Sequence, residues 1–197
     1  MNDEITLAKK QLIEACHRAY KRGIQTGTGG NVSARIKGTD TMIVKSSGSS
    51  LGDVDENRGF VITDFDGNVI EGNEKPTREA LLHGMIYKIR EDANAVMHFH
   101  AVYTNAWSIN NEILPMISWH SKLKNKSDIP VINIPAAMVR LEDKEIMENV
   151  LANKDLNSFI LRLHGLVSIG KNPLSAYHAA ELIEETAKIN VLNKLMR

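Results

Sequence analysis

Two histidines separated by one residue, His98-Phe99-His100, form the most chemically specific pattern in this 197-residue chain. On an extended strand, side chains two apart project from the same face. Both imidazoles can therefore reach one point while Phe99 turns into the core. Imidazole suits zinc and related ions, and a catalytic zinc site often takes three protein ligands and keeps one position open. A His-x-His pair by itself more often has a structural or surface role, so a third donor is required. His164 is the candidate: it ends the apolar run Phe159-Ile160-Leu161-Arg162-Leu163 and precedes Gly165. Its competing explanation is a hydrogen-bonded histidine at a strand end.

Glu79 falls in the first turn of an expected helix. It can act as a general acid or base, although a carboxylate there is also favoured by roughly 0.3–1 kcal/mol through helix electrostatics alone. His83, four residues on, shares its helical face and can support it from behind. Among the other histidines, His17 and His178 read as surface or packing residues on helices, and His120 lies in an irregular stretch from which it could approach a ligand. Gly27-Thr28-Gly29-Gly30-Asn31 is a turn able to aim several backbone N–H groups at an anion. It lacks the Gly-Lys-Ser/Thr of a P-loop and the dinucleotide fingerprint. Ser46-Ser47-Gly48-Ser49-Ser50 and Thr77 add hydroxyl donors. Ordinary loops explain each segment separately, whereas a small phosphate site explains them together.

Lysine plus arginine equals aspartate plus glutamate, at 24 each, so no net field favours nucleic acid or an acidic membrane. An anionic ligand must be held by local geometry. The single cysteine, Cys16, excludes an internal disulfide and fits a reducing compartment; it reads as a small buried residue on a helix. No run approaches the roughly 18 apolar residues of a membrane span, and the acidic start Met1-Asn2-Asp3-Glu4 is unlike a secretion signal. The expectation is a single domain over 1–197, cytoplasmic, with no nucleic-acid or membrane partner.

These side chains need a frame. Ile5 to Arg22 has helical spacing, with Leu12, Ile13, Cys16, Ala19 and Tyr20 on one stripe and Gly23 as the stop. Val32–Ile36 and Met42–Lys45 read as strands, and Phe60–Thr63 with Val69-Ile70 flank the turn Asp66-Gly67. A helix is expected over Pro76 to Arg90, with Pro76 at its first position and Leu82, Met85, Ile86 and Ile89 buried. Strands follow at Ala93–His100, Val131–Ile134 and Phe159–His164, with a helix at Lys144–Leu151; Trp107–Ile117 carries no clear period. Asn172-Pro173 opens a long helix lined by Tyr177, Ala180, Ile183, Ala187, Val191 and Leu195. Mixed strands and helices with early hairpin signals predict an α/β/α sandwich around a mixed, largely antiparallel sheet.

In order along the chain, these motifs resemble the class II aldolase/adducin family. The matching residues are Gly29-Gly30-Asn31-Val32-Ser33-Ala34-Arg35, Ser47-Gly48, and Lys75-Pro76-Thr77-Arg78-Glu79 with His83. They continue through Asp92-Ala93-Asn94-Ala95-Val96-Met97-His98-Phe99-His100-Ala101 and His164-Gly165-Leu166-Val167, with Ala176 and Glu184 beyond. The resemblance spans nearly the whole chain. It implies the class II aldolase fold, a homotetramer with interfacial active sites, and one Zn2+ per subunit (or Mn2+ or Co2+) on His98, His100 and His164. It gives Glu79 the proton transfer, and it matches Thr28, Gly30, Asn31, Ser47, Gly48, Thr77 and Arg78 to a cradle for the substrate phosphate.

The implied reaction is aldol cleavage of a small ketose phosphate, of the L-fuculose 1-phosphate kind, to dihydroxyacetone phosphate and a short aldehyde. Glutamate rather than aspartate at position 79 favours this over epimerisation. Arg78 stands where relatives have a small hydroxyl residue, and Trp119 about where they have a tyrosine on the aldehyde side. These departures keep sibling reactions in view: dehydration (as of methylthioribulose phosphate), decarboxylation of a phosphorylated sugar acid, or epimerisation. A non-catalytic adducin-like interaction module is a further reading, against which the retained histidines and Glu79 argue.

Overall fold

A computed structural model describes residues 2–196. Helix α1, Asn2–Lys21, carries Asp3 and Glu4 in its first turn and buries Leu12, Ala15, Cys16 and Ala19 at three-and-four spacing. Tyr20, expected on that stripe, is instead 44% exposed. Strands β1 (Asn31–Ile36), β2 (Thr41–Lys45), β3 (Phe60–Asp64) and β4 (Val69–Glu71) then run as an antiparallel meander. Helix α2 (Ala80–Ile89) leads into β5 (Ala95–Phe99), which pairs antiparallel with β1. After helix α3 (Val102–Ser108) come the two-residue β6 (Ile113–Leu114), helix α4 (Trp119–Lys124), β7 (Ile129–Ile132) and helix α5 (Lys144–Leu151). The chain closes with β8 (Ser158–Leu161), β9 (Gly165–Gly170) and helix α6 (Pro173–Leu195).

The nine strands form one sheet in the order β4-β3-β2-β1-β5-β9-β8-β7-β6. Only β7 and β8 pair in parallel, so the sheet is mixed and largely antiparallel, as expected. Register fixes which side chains share a face. Val32, Met97 and Ser168 lie in one cross-strand row, and the Ser168 hydroxyl donates to the Ala176 carbonyl of α6. Ser33, Val96 and Ile169 form the next row on the opposite face, where Ser33 meets His83 of α2. Helices therefore cover both faces: α1, α3, α4 and α6 on one, α2 and α5 on the other. This three-layer arrangement is the class expected from the sequence.

Three local expectations change. The helix expected from Pro76 begins at Ala80, because the chain before it is recruited by β2. Thr77 N–H donates to the Lys45 carbonyl at 2.9 Å, and Ser47 N–H donates to the Lys75 carbonyl at 2.8 Å. Pro76, which has no N–H to lose, sits between these bonds as a bridge partner of Ser46. Second, the strand expected over Phe159–His164 ends at Leu161, and residues 162–164 form the turn between β8 and β9. Leu163 takes the left-handed conformation, φ 58°, and reverses the chain into β9. Third, Trp119 and His120 lie on α4, whose Ser118 and Ser121 form a reciprocal capping box, rather than in an irregular stretch. Asn172 and Ser175 cap α6 in the same way, as the Asn-Pro signal implied.

Candidate metal centre

Glu79, His98, His100 and His164 converge, each offering a ligand atom, with all four atoms within 4.8 Å of one another. The sheet brings them there. His98 is in mid-sheet on β5, opposite Asn31 of β1 on one side and Val167 of β9 on the other. Its Nδ1 lies 3.1 Å from the Leu166 carbonyl, which can only accept, so Nδ1 carries the proton and Nε2 presents a bare lone pair. His100 follows β5 immediately, and its backbone N–H donates to Gln25 Oε1 at 2.7 Å. His164 enters from the β8–β9 turn, its carbonyl held by Asn105 Nδ2 at 3.0 Å. Gly165 permits the approach: a Cβ there would lie 2.5 Å from the Phe99 carbonyl and 2.9 Å from the His98 ring.

Glu79 occupies the N-cap position of α2 and makes no capping hydrogen bond. Its carboxylate points into the cluster instead, with Oε2 3.4 Å from His98 Nε2 and Oε1 3.5 Å from His164 Nε2. Helix electrostatics alone therefore does not account for its placement. His98 Nε2 and His164 Nε2 are 3.3 Å apart. Burial, followed by the neighbouring histidines, holds His98 well below the ordinary imidazole range, and His100 is lowered by burial and then by His164. Neutral imidazoles with free lone pairs are the form that binds a cation.

The donor set fits a divalent ion on the evidence of its own unsatisfied atoms. Glu79 Oε1 and His100 Nε2 are both buried and have no hydrogen-bond partner. Buried polar atoms left this way are costly unless something else engages them. A cation would engage both, together with the two facing Nε2 atoms.

The anion-binding segments expected from the sequence meet beside this cluster. Gly30, at φ 66°, lies against Gln25, whose Oε1 would be 2.7 Å from any Cβ there. The clip between residues 45–47 and 75–77 sets Ser47 opposite Lys75 and Thr77 opposite Lys45, and Thr77 Oγ1 accepts from Glu79 N–H at 3.4 Å. Arg78 is exposed and makes no hydrogen bond or ion pair among the described residues. Asn31 is buried, and its side chain is turned to Glu79 and His83.

Two residues the sequence reading missed lie between these parts. Lys45 is buried, and its amine reaches the Thr28 and Ser46 carbonyls at 3.4 and 3.3 Å. Burial lowers its pKa. Gln25 wedges the glycine loop against the His100 backbone. A lysine closing the apolar run Met42-Ile43-Val44 was the available signal for the first; Gln25 had none. His120 and Trp119 do not join the cluster. His120 Nδ1 is 4.0 Å from Glu185, and Trp119 is 81% exposed with Lys122 over its ring.

This fold and this cluster define a class: residues 10–191 match the model of the class II aldolase and adducin N-terminal domain, and the chain belongs to that family. Among its relatives, L-fuculose phosphate aldolase of Methanocaldococcus jannaschii is 36% identical over 189 residues, covering 96% of this chain and 98% of the relative. The 3-oxo-tetronate 4-phosphate decarboxylase of Haemophilus influenzae is 33% identical, covering 93% of this chain and 87% of the relative. A solved L-fuculose 1-phosphate aldolase superposes with a TM-score of 0.84 at 26% identity, covering 96% of this chain and 87% of that one.

Proposed function

We propose that this chain is a divalent-metal-dependent lyase, working as one domain. It would cleave a small ketose phosphate of the L-fuculose 1-phosphate kind to dihydroxyacetone phosphate and a short aldehyde. The carrying observation is the buried, unpaired pair Glu79 Oε1 and His100 Nε2 within the four-donor cluster. In this reading His98, His100 and His164 hold the ion, and their nitrogen donors favour zinc while admitting manganese or cobalt. When bound, the ion supplies Lewis acidity toward the charge that develops as the carbon–carbon bond breaks.

The chain's own residues do the rest. Glu79 Oε1 takes and returns the substrate proton. Thr28, Gly30, Ser47, Gly48 and Thr77 bind the phosphate, with Asn31 at the loop's inner end and Arg78 at its rim. The Lys45 charge, buried under these segments, favours an anion among them. Holding the phosphate fixes the sugar's orientation and lowers the entropic part of the barrier. A homotetramer with sites at subunit interfaces, as the family resemblance implies, is part of the proposal; light scattering should report four chains. No helix among the described residues is long and apolar enough to cross a membrane, and a cytoplasmic setting is proposed.

The test is a panel of phosphorylated sugars assayed for dihydroxyacetone phosphate, water loss and carbon dioxide. Release of dihydroxyacetone phosphate from L-fuculose 1-phosphate is expected. Exposed Arg78 beside the cradle, with a decarboxylase among the relatives, favours one second reading, a phosphorylated sugar acid as substrate. Carbon dioxide release with no triose phosphate would establish that reading instead.

A further inference from the structure

Behind Glu79 a line of polar side chains runs into the interface between the sheet and α2. Tyr87 Oη is 2.7 Å from Ser33 Oγ, which is 2.6 Å from His83 Nδ1. His83 Nε2 is 2.5 Å from Asn31 Oδ1, and Asn31 Nδ2 is 2.7 Å from Glu79 Oε2. All four residues are essentially solvent-free. Apolar side chains of similar size would fill this space without the need to satisfy every donor and acceptor.

The direction of each proton follows from the carboxylate end. An ionised carboxylate only accepts, so Asn31 must turn its amide nitrogen toward Glu79. Its carbonyl oxygen then faces His83, and only an Nε2–H can bond to it. Burial pushes the His83 imidazole down to about 3, so the ring is neutral and Nδ1 is bare. Nδ1 therefore accepts from the Ser33 hydroxyl, whose oxygen in turn accepts from Tyr87 O–H. Every group in the line points its proton toward Glu79 Oε2, and the other oxygen, Oε1, is left buried without a hydrogen-bond partner.

We propose that His83 is a positioning residue. Backed by Ser33 and Tyr87, it locks the Asn31 amide in one orientation, so that Oε2 of Glu79 is held as an acceptor and Oε1 alone is the proton-transferring atom. This rests on the reading of Glu79 as the group that moves the substrate proton. Tyr87, Ser33 and His83 set the aim of that carboxylate through Asn31 and themselves touch no substrate.

Two measurements on the zinc-loaded full chain test it. In a 15N-histidine-labelled sample, His83 should appear at neutral pH as the Nε2–H tautomer; an Nδ1–H tautomer overturns the proposal without reference to any substrate. In turnover of L-fuculose 1-phosphate, His83→Leu should lower kcat about tenfold to a hundredfold, the range typical of supporting hydrogen bonds at such sites, with KM and zinc content held within about twofold. His83→Gln, which can return an N–H to the Asn31 oxygen, should recover most of kcat. Ser33→Ala, a smaller change that carries the kinetic test if His83→Leu does not fold, should fall between them. Wild-type kcat in His83→Leu or in Ser33→Ala, or a glutamine variant no better than leucine, overturns the proposal. Absence of turnover by the wild-type chain on the whole substrate panel would sink the proposed function instead, leaving the tautomer result to stand by itself.

Discussion

Asn31 and His98 sit directly opposite one another across the β1–β5 ladder. The asparagine that donates to Glu79 and the histidine best placed to bind an ion are thus held at one cross-strand position. A ladder pair in mid-sheet is among the stiffest placements a fold offers, so the Asn31 amide that meets Glu79 and the His98 ring keep a fixed separation.

The ligand assignment predicts a clean division among variants. The purified chain should carry about one divalent ion, and His98→Ala or His164→Ala should lose it by elemental analysis. Glu79→Gln should keep the ion and lose turnover. Removing the ion with a chelator should also lower the melting temperature, since a ligand at a hundred times its Kd contributes about 2.7 kcal/mol to the folded state. Full occupancy in the histidine variants would refute the triad.

Acid should unfold the metal-free chain by a route visible in the structure. His83 and His98 are completely buried and held below the ordinary imidazole value of 6.5, His83 down to about 3. In the unfolded chain both protonate near 6.5, so below that pH the unfolded state binds more protons. Stability is therefore complete above about 6.5 and falls as the pH drops toward about 3, by about 1.4 kcal/mol per pH unit for each such histidine. Urea midpoints at pH 7, 5.5 and 4.5 measure this, and His83→Gln should make the slope shallower by one histidine's share. A flat profile in the wild-type chain would contradict the burial argument.

Much of this was legible in the sequence because the signals were local. The period of α1, that of α6 as far as Val191 (Leu195, expected on the same face, is exposed), the Asn172-Pro173 cap and the His-x-His alternation each depend on neighbours within a few residues. Proximity of Glu79 to the histidines was available only through the family resemblance, since 18 residues, the whole of α2 among them, lie between Glu79 and His98. What was missed depends on contacts between distant segments. Pro76 reads as a helix start until the carbonyl of Lys45 claims the Thr77 N–H. His164 reads as a strand end because nothing local marks Leu163, a leucine, for a left-handed turn. Buried Lys45 is invisible until the glycine loop folds over it.

That left-handed leucine yields a stability prediction. Leu163 holds φ 58° and is 69% exposed, so it carries backbone strain of about 1–2 kcal/mol with little apolar burial to offset it. Glycine relieves the strain and adds about 0.5–1 kcal/mol of unfolded-state entropy. Leu163→Gly should therefore stabilise the chain by about 0.5–1 kcal/mol in urea denaturation, with the ion retained. A loss of stability would mean that the leucine side chain is covered in the working assembly.

Glu184 supports the histidine cluster from the opposite helix layer. Helix α3 starts two residues after His100, and its N-cap, Ala101, has no side-chain acceptor. Glu184 of α6 supplies one, accepting the Tyr103 and Thr104 N–H groups at 2.9 Å each and the Thr104 hydroxyl at 2.5 Å. Further along the same helix, Asn105 grips the His164 carbonyl and the Ser108 hydroxyl accepts the Leu163 N–H. Uncapping α3 thus loosens the segment after His100 and the turn that carries His164. Glu184→Ala should cost about 1–2 kcal/mol of stability, the range for a lost helix cap. It should also weaken zinc binding about tenfold in competition with a chromophoric chelator, while Glu184→Gln, which keeps an acceptor oxygen, should fall between it and the wild type. A folded Glu184→Ala chain with wild-type zinc affinity would show that α3 keeps both histidines in place without its cap.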